Sequence, residues 1–310
     1  MSTWQKAVED YIQMRRSLGF KLHRVKIDLM DFVSFLEHHR ASHITLALAL
    51  KWAQLDPAAR PAEWARRLSS VRGFARHWSA YDPHTEIPPW GLLPHRPGRA
   101  RPYIYSSEEI QQLLQAAKQL PSAHCLRART YYCLLGLLSV TGLRISEALN
   151  LQSEDVDLAE GILTIRGSKF GKSRLVPIHA STCRVLSDYT ARRDRFLAGR
   201  PAQRFFVSKH GTRLDGGDVR RTFYALSRRI GLRGASASHG PRLHDFRHRF
   251  AVKTLVQWYR SGQDVERCLP ILSTYLGHGH VADTYWYLSA CPELMGLAVK
   301  RLEDYWEGQS

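Results

Sequence analysis

The chain has 310 residues, with 45 Lys and Arg against 28 Asp and Glu, a net charge of +17 and a pI near 10. That length, with 44% hydrophobic residues, allows two domains with real cores, and positive charge spread through the chain favours a polyanionic partner, nucleic acid above all. Five scattered cysteines (Cys125, Cys133, Cys183, Cys268, Cys291) with no CxxC pair exclude a disulfide framework and a zinc ribbon and fit a reducing, cytoplasmic setting; the N-terminus has no signal-peptide run, and the longest apolar stretch, Tyr131 to Val140, is too short to span a membrane.

Residues 1–81 read as helical. Val8, Tyr11 and Ile12 recur at helical spacing, as do Leu29, Phe32, Val33 and Leu36. A third helix is predicted over Thr45–Gln54 and a fourth over Pro61–Ala80, opened by a proline suited to a first turn. The fourth carries Arg66, Arg67, Arg72 and Arg76, either a solvated face or a phosphate-contacting one. Residues 82–102, DPHTEIPPWGLLPHRPGRARP, read as a basic, proline-rich linker.

A new helix is predicted after the cap at Ser106 or Ser107. Residues 128–150 read as a buried helix, a turn at Thr141-Gly142 and a second helix. In GILTIRGSKFGKSRLVPI, residues 161–178, Ile162–Ile165 and Leu175–Ile178 flank a Gly/Ser/Lys turn, which predicts a β-hairpin. A short strand is expected at Phe205–Val207, followed by a turn over Lys209–Thr212; beyond that the chain reads as mainly helical to residue 308. The fold class is therefore mainly α with a small antiparallel sheet (α+β).

Four segments hold the polar residues suited to chemistry. TGLRISEALNL, residues 141–151, places Arg144 at the start of a helix with Glu147 in pairing distance. The hairpin turn carries Lys169 and Lys172. HGPRLHDFRHRF, residues 239–250, puts His244 and Arg247 on one helical face; His244 and His248 have metal-ligand spacing, but no glutamate or third ligand supports zinc. YLGHGHVADTYWYL, residues 275–288, holds His278 between two glycines, then Tyr285 and Tyr287.

In this order, TGLRISE, a hairpin lysine before R-L-V-P, H-x-x-R-H, and L-G-H with a tyrosine nine residues on, the chain resembles the tyrosine recombinases, or phage integrase family. The resemblance implies a helical core-binding domain over 1–81, the linker 82–102, a catalytic domain over 103–290, and the two domains closing on DNA as a C-shaped clamp. It also implies Arg144, Lys169, His244, Arg247, His278 and Tyr287 as catalytic residues, with Lys172 basic but non-catalytic. Tyr287 is favoured over Tyr285 by its spacing from His278.

The chemistry suits those groups. Two guanidiniums can hold the non-bridging oxygens of an attacked phosphodiester, a lysine can protonate the leaving 5′-oxygen, and His244 can take the tyrosine proton. A covalent 3′-phosphotyrosine stores the bond energy, so neither ATP nor a metal or other cofactor is called for. The implied partner is double-stranded DNA with paired recombination sites, bound by a homo-tetramer or by a complex with related recombinases. Residues 291–310 space Leu294, Leu297, Ala298, Arg301 and Tyr305 helically, to pack on their own domain or dock on a neighbouring protomer. Type IB topoisomerases use the same tyrosine chemistry, but the length and short helical N-terminal part favour a recombinase; a DNA-binding protein without catalysis is the other alternative, opposed by the presence of all six polar positions.

Overall fold

The computed structural model describes residues 2–93, 102–122, 126–167, 171, 173–237, 239–288 and 291–307. The chain divides into two compact units, Met1–Ala100 and Arg101–Ser310.

The first unit packs α1 (Thr3–Ser17), α2 (His23–His38), α3 (Leu46–Ala53) and α4 (Pro61–Trp78) around Val8, Ile12, Leu29, Phe32, Leu36, Trp52 and Phe74. The third and fourth helices form within two residues of their expected ends, and three of the four starts are encoded locally. Ser2 closes a capping box with Gln5, Thr45 accepts from Leu48 N, and Pro61 sits in the first turn of α4. The arginines of α4 are mostly spent on the fold. Arg66 pairs with the buried Asp28 and with Glu63, and Arg67 pairs with Asp31 while lying 4.1 Å over the Trp52 ring. The buried Arg72 donates to Pro88 O (2.7 Å) and Pro89 O (2.8 Å), and only Arg76 of the four lies exposed. Three of the four arginines are thus engaged within the unit. The same Arg72 bonds, with Glu86 N donating to Ile44 O, tie the first half of the 82–102 segment onto this unit.

The second unit is built on α6 (Leu126–Thr141), buried almost all round, with α5 (Ser107–Lys118), α8 (Ala180–Leu197) and α10 (Asp245–Arg260) packed against it. Between α7 (Ile145–Asn150) and α8 lies a three-stranded antiparallel sheet, β1 (Val156–Asp157), β2 (Ile162–Ile165) and β3 (Arg174–Pro177), with Ile162 opposite Pro177 and Ile165 opposite Arg174. The expected second hairpin strand therefore sits one residue earlier, and the two-residue β1 is an addition. Phe205–Val207 forms no regular strand: Gln152–Arg204 and Val207–Arg213 make isolated bridges while Phe205, Phe206 and Val207 fill the core. The remaining helices are α9 (Gly216–Arg229), α11 (Val265–Leu276), the short α12 (Ala282–Tyr285) and α13 (Pro292–Glu307). A second cluster in this unit joins Leu255 of α10, Leu269, Leu272 and Leu276 of α11, Tyr287 and Leu294 of α13. No helix among the described residues is long and apolar enough to cross a membrane.

Candidate active site

Three chain reversals of the second unit meet at one place, and buried arginines tie them together. After α6 the backbone turns at Gly142, whose positive φ of 61° and close approach to the Phe250 ring (a Cβ would lie 2.7 Å from it) leave no room for a side chain. Arg144 follows as the residue capping α7. Its Nη1 donates to Glu147 Oε1 (2.8 Å) and its Nη2 to Gly277 O (3.0 Å), while its backbone N donates to Glu147 Oε2 (2.9 Å). Glu147 is buried and also receives both terminal nitrogens of Arg174, at 3.1 and 2.9 Å. Burial works to raise its carboxyl, but the bonds from Arg174 and Arg144 outweigh it and hold the pKa below the usual carboxylate range.

Arg247, in the first turn of α10, is only 2% exposed. Its Nη1 donates to Gly142 O (3.0 Å) and its Nη2 to Leu276 O (2.6 Å), so the guanidinium is held between the carbonyl ends of α6 and α11. The negative pole of a helix C-terminus is a natural seat for a cation. Among the described residues no carboxylate forms an ion pair with Arg247. Burial, followed by repulsion from Arg144, lowers its pKa to about 10.

His278 follows Gly277, which ends α11 in the left-handed region (φ 68°), and its Nδ1 lies 2.7 Å from Thr284 Oγ1. Burial and the two arginines depress its pKa to about 4. The ring of Tyr287 lies nearly parallel to that of His278, with centroids 6.0 Å apart. Tyr287 is 2% exposed, whereas Tyr285 is 51% exposed. Burial raises the Tyr287 phenol, against the opposing pull of the Arg247 guanidinium.

His244 immediately precedes α10 and is exposed at its surface, while desolvation by its neighbours and then Arg247 hold its pKa below the ordinary value. Edge-on to it at 4.7 Å stands His248, which also contacts Trp286 and Tyr287, has a buried Nδ1 without a partner, and is pushed down to about 4 by burial and then by His244. Among the described residues no group of three or more His, Cys, Asp or Glu is placed to hold a metal.

Five of the six expected site residues, Arg144, His244, Arg247, His278 and Tyr287, thus meet around one spot. Lys169 lies outside the described residues, as does Lys172. The sequence pointed to His248 only through its metal-ligand spacing from His244, and gave Arg174 no role. For Arg174 a signal existed: in β3 the charged residue shares the inward face with buried Val176, while Leu175 points outward, 62% exposed. That inversion of the usual strand pattern marks a charge with an internal partner.

The sequence matches the phage integrase family over residues 104–293. The protein y4rB of Sinorhizobium fredii (strain NBRC 101917 / NGR234), described as an integrase/recombinase, is 60% identical over 314 residues, which covers the whole of both chains. The chain belongs to the phage integrase family. It is a tyrosine recombinase, an enzyme that cleaves and rejoins DNA strands. Solved structures of similar fold include the Tn1549 transposon integrase in complex with transposon right-end DNA (TM-score 0.67, 16% identity, covering 98% of this chain and 99% of that one). Another is the XerH site-specific recombinase bound to palindromic difH substrate (TM-score 0.66, 18% identity, covering 97% and 86%). In this recombinase the small antiparallel sheet and the site just described lie within the segment the family covers.

Proposed function

We propose that Tyr287 is the nucleophile of this recombinase and that Arg144 and Arg247 hold the scissile phosphate. The observation that carries this reading is the contrast between the two tyrosines. Tyr287 is enclosed beside the Arg247 guanidinium and the His278 ring, while Tyr285 is exposed.

The electrostatics supply a reason for the ligand. Arg247 and Arg144 repel one another, and the carbonyl oxygens that hold Arg247 bring only partial charge. A phosphodiester between the guanidiniums supplies the missing anion, and the charge gathering on its non-bridging oxygens as phosphorus is attacked is held most strongly by pre-positioned forks. The Tyr287 oxygen attacks phosphorus and loses its proton as the bond to the 5′-oxygen breaks. His244, whose depressed pKa favours the neutral ring, accepts that proton. In the tautomer in which Nδ1 accepts from Thr284, the His278 proton sits on Nε2 and can be given to a phosphate oxygen. Lys169, which lies between β2 and β3 in the sequence, protonates the leaving 5′-oxygen. The products are a 3′-phosphotyrosine and a free 5′-hydroxyl, and a 5′-hydroxyl of a partner duplex reverses the step without ATP.

Strand exchange needs paired sites and several protomers, as a homo-tetramer or a complex with related recombinases, and each enzyme unit grips the duplex with both of its domains. The C-terminal helix α13 is the docking element. Leu294 anchors it in its own domain, while Met295, Val299 and Leu302 leave an exposed apolar row at helical spacing. Likeness to y4rB and to a transposon integrase favours a role in moving a mobile element.

The test uses labelled duplexes tiling the DNA that flanks the gene, with covalent adducts read on a denaturing gel. The unaltered enzyme and Tyr285→Phe should form adducts; Tyr287→Phe should form none while still shifting the same duplex. An adduct with Tyr287→Phe and none with Tyr285→Phe would reassign the nucleophile.

A further inference from the structure

We propose that Arg174 is a positioning residue that fixes the phosphate-binding Arg144 and the His278 loop to one another from the strand that follows the hairpin turn. The inference rests on the reading that Arg144 and His278 act on the phosphate.

Arg174 begins β3, yet its side chain is 8% exposed and three of its nitrogens are engaged. Nη1 and Nη2 grip the two oxygens of Glu147 at 3.1 and 2.9 Å, and Nε donates to Tyr275 O at 2.7 Å. Each bond leads to a different part of the site. Glu147 is the carboxylate that receives the Arg144 Nη1 and backbone N, so the fork of Arg174 sets the carboxylate plane on which Arg144 is hung. Tyr275 belongs to the last turn of α11, whose following residues supply the Gly277 carbonyl that takes Arg144 Nη2, and then His278.

The backbone of that loop is shaped to the guanidinium. A Cβ on Gly277 would lie 2.7 Å from Arg174 Nη1 and 3.0 Å from its Cζ. Tyr275 also reaches back from α11 to β3, its hydroxyl 3.5 Å from Pro177 O. One planar cation therefore closes a ring of contacts: Arg174 to Glu147, Glu147 to Arg144, Arg144 to Gly277, and Gly277 back against Arg174. Lysine cannot close that ring, since a single ammonium on a flexible stem cannot grip both carboxylate oxygens and the Tyr275 carbonyl in fixed directions. Removing Arg174 also leaves Glu147 buried with one cation, free to pull Arg144 out of register.

The experiment compares Arg174→Lys, Arg174→Met, Glu147→Gln, the Arg174→Met/Glu147→Gln double variant and Arg144→Ala. It reads single-turnover adduct formation at saturating duplex, duplex affinity by gel shift, and thermal melting. A small displacement of a reacting group costs on the order of 100-fold in rate. Arg174→Met should lose about that much and Arg174→Lys about 10-fold, with duplex affinity changed by less than about 3-fold. Because the residues act in one chain, the double variant should be no slower than the slower single variant. Arg174→Lys, which keeps the charge and most of the packing, guards against loss by unfolding. Unaltered cleavage in both Arg174 variants, losses that multiply in the double variant, or a defect accounted for by weaker DNA binding or by melting below the assay temperature would each overturn the positioning role. Failure of the underlying reading is separable: Arg144→Ala would then itself cleave normally.

Discussion

Replacing Arg247 by lysine preserves a positive charge and removes the fork, so it isolates geometry from charge. In the folded chain Arg247 gives one hydrogen bond each to Gly142 O and Leu276 O and is 2% exposed. A lysine can reach one of these carbonyls, leaving the other buried and unmet at a cost of about 1–3 kcal/mol. For a unit of this size that lowers the melting temperature by about 2–4 °C per kcal/mol, so the variant stays folded at ordinary assay temperatures. The catalytic loss should be larger. A fixed donor aimed at developing charge is worth about 100- to 1,000-fold in rate, or about 2.7–4 kcal/mol. A shorter, singly directed ammonium that must choose between a backbone carbonyl and the phosphate should lose most of it. The assay is single-turnover cleavage at saturating duplex, well below the melting temperature, with melting followed separately. A variant that melts a few degrees lower yet cleaves at nearly the normal rate would refute the argument. The phosphate would then need only charge at this position, and the two helix ends would be holding Arg247 for stability alone.

The other expectations follow from the same site. Lys169→Ala should be severely slowed on ordinary DNA and largely rescued when the scissile 5′-oxygen is replaced by sulfur, because a thiolate leaves without a proton. Lys172→Ala should show a small defect equal on both substrates, and rescue of Lys172→Ala instead would move the general acid by three residues. Gly277→Ala forces a side chain into the left-handed region and against Arg174, costing about 1–3 kcal/mol; cleavage should fall further than stability predicts, and unchanged cleavage would show that the loop does not need its present path. His248 and His278 titrate near 4 in the folded chain against an ordinary 6.5, so the unfolded chain takes up protons first as pH falls. Stability present above pH 6.5 is therefore lost as pH falls from there towards 4. His248→Phe should make that acid limb of melting temperature against pH shallower, and an unchanged limb would remove His248 from the balance.

Much of this protein is written locally. Helices α1, α3, α4 and α5 begin where Ser2, Thr45, Pro61 and Ser106 say they should, because a cap or a fixed φ acts within a few residues of itself. The hairpin is legible for the same reason: a change of period from helix to strand on either side of a Gly/Ser/Lys-rich stretch needs no distant partner. The motifs are legible too, since Arg144, His244, Arg247, His278 and Tyr287 each sit at a helix end or turn whose local signals survive in sequence.

Other features depend on contacts far apart in the chain. Phe205–Val207 has strand composition, but its neighbours in space offer only isolated bridges, so burial of its rings wins over pairing. Whether the arginines of α4 meet solvent or carboxylates was settled by Asp28 and Asp31 arriving from another helix. Which tyrosine is enclosed cannot be read from T-Y-W-Y, because it depends on how α12 lays its following residues against α10 and α11. Sequence determined which groups this enzyme owns and the elements that carry them. Tertiary structure alone decided that the carbonyl ends of α6 and α11 converge on Arg247, and that Arg174 reaches Glu147 and Tyr275 at once. A hydrogen bond between residues 105 positions apart, such as Arg247 to Gly142, leaves no periodic trace in the chain; it exists only once the core around α6 has fixed where both ends lie.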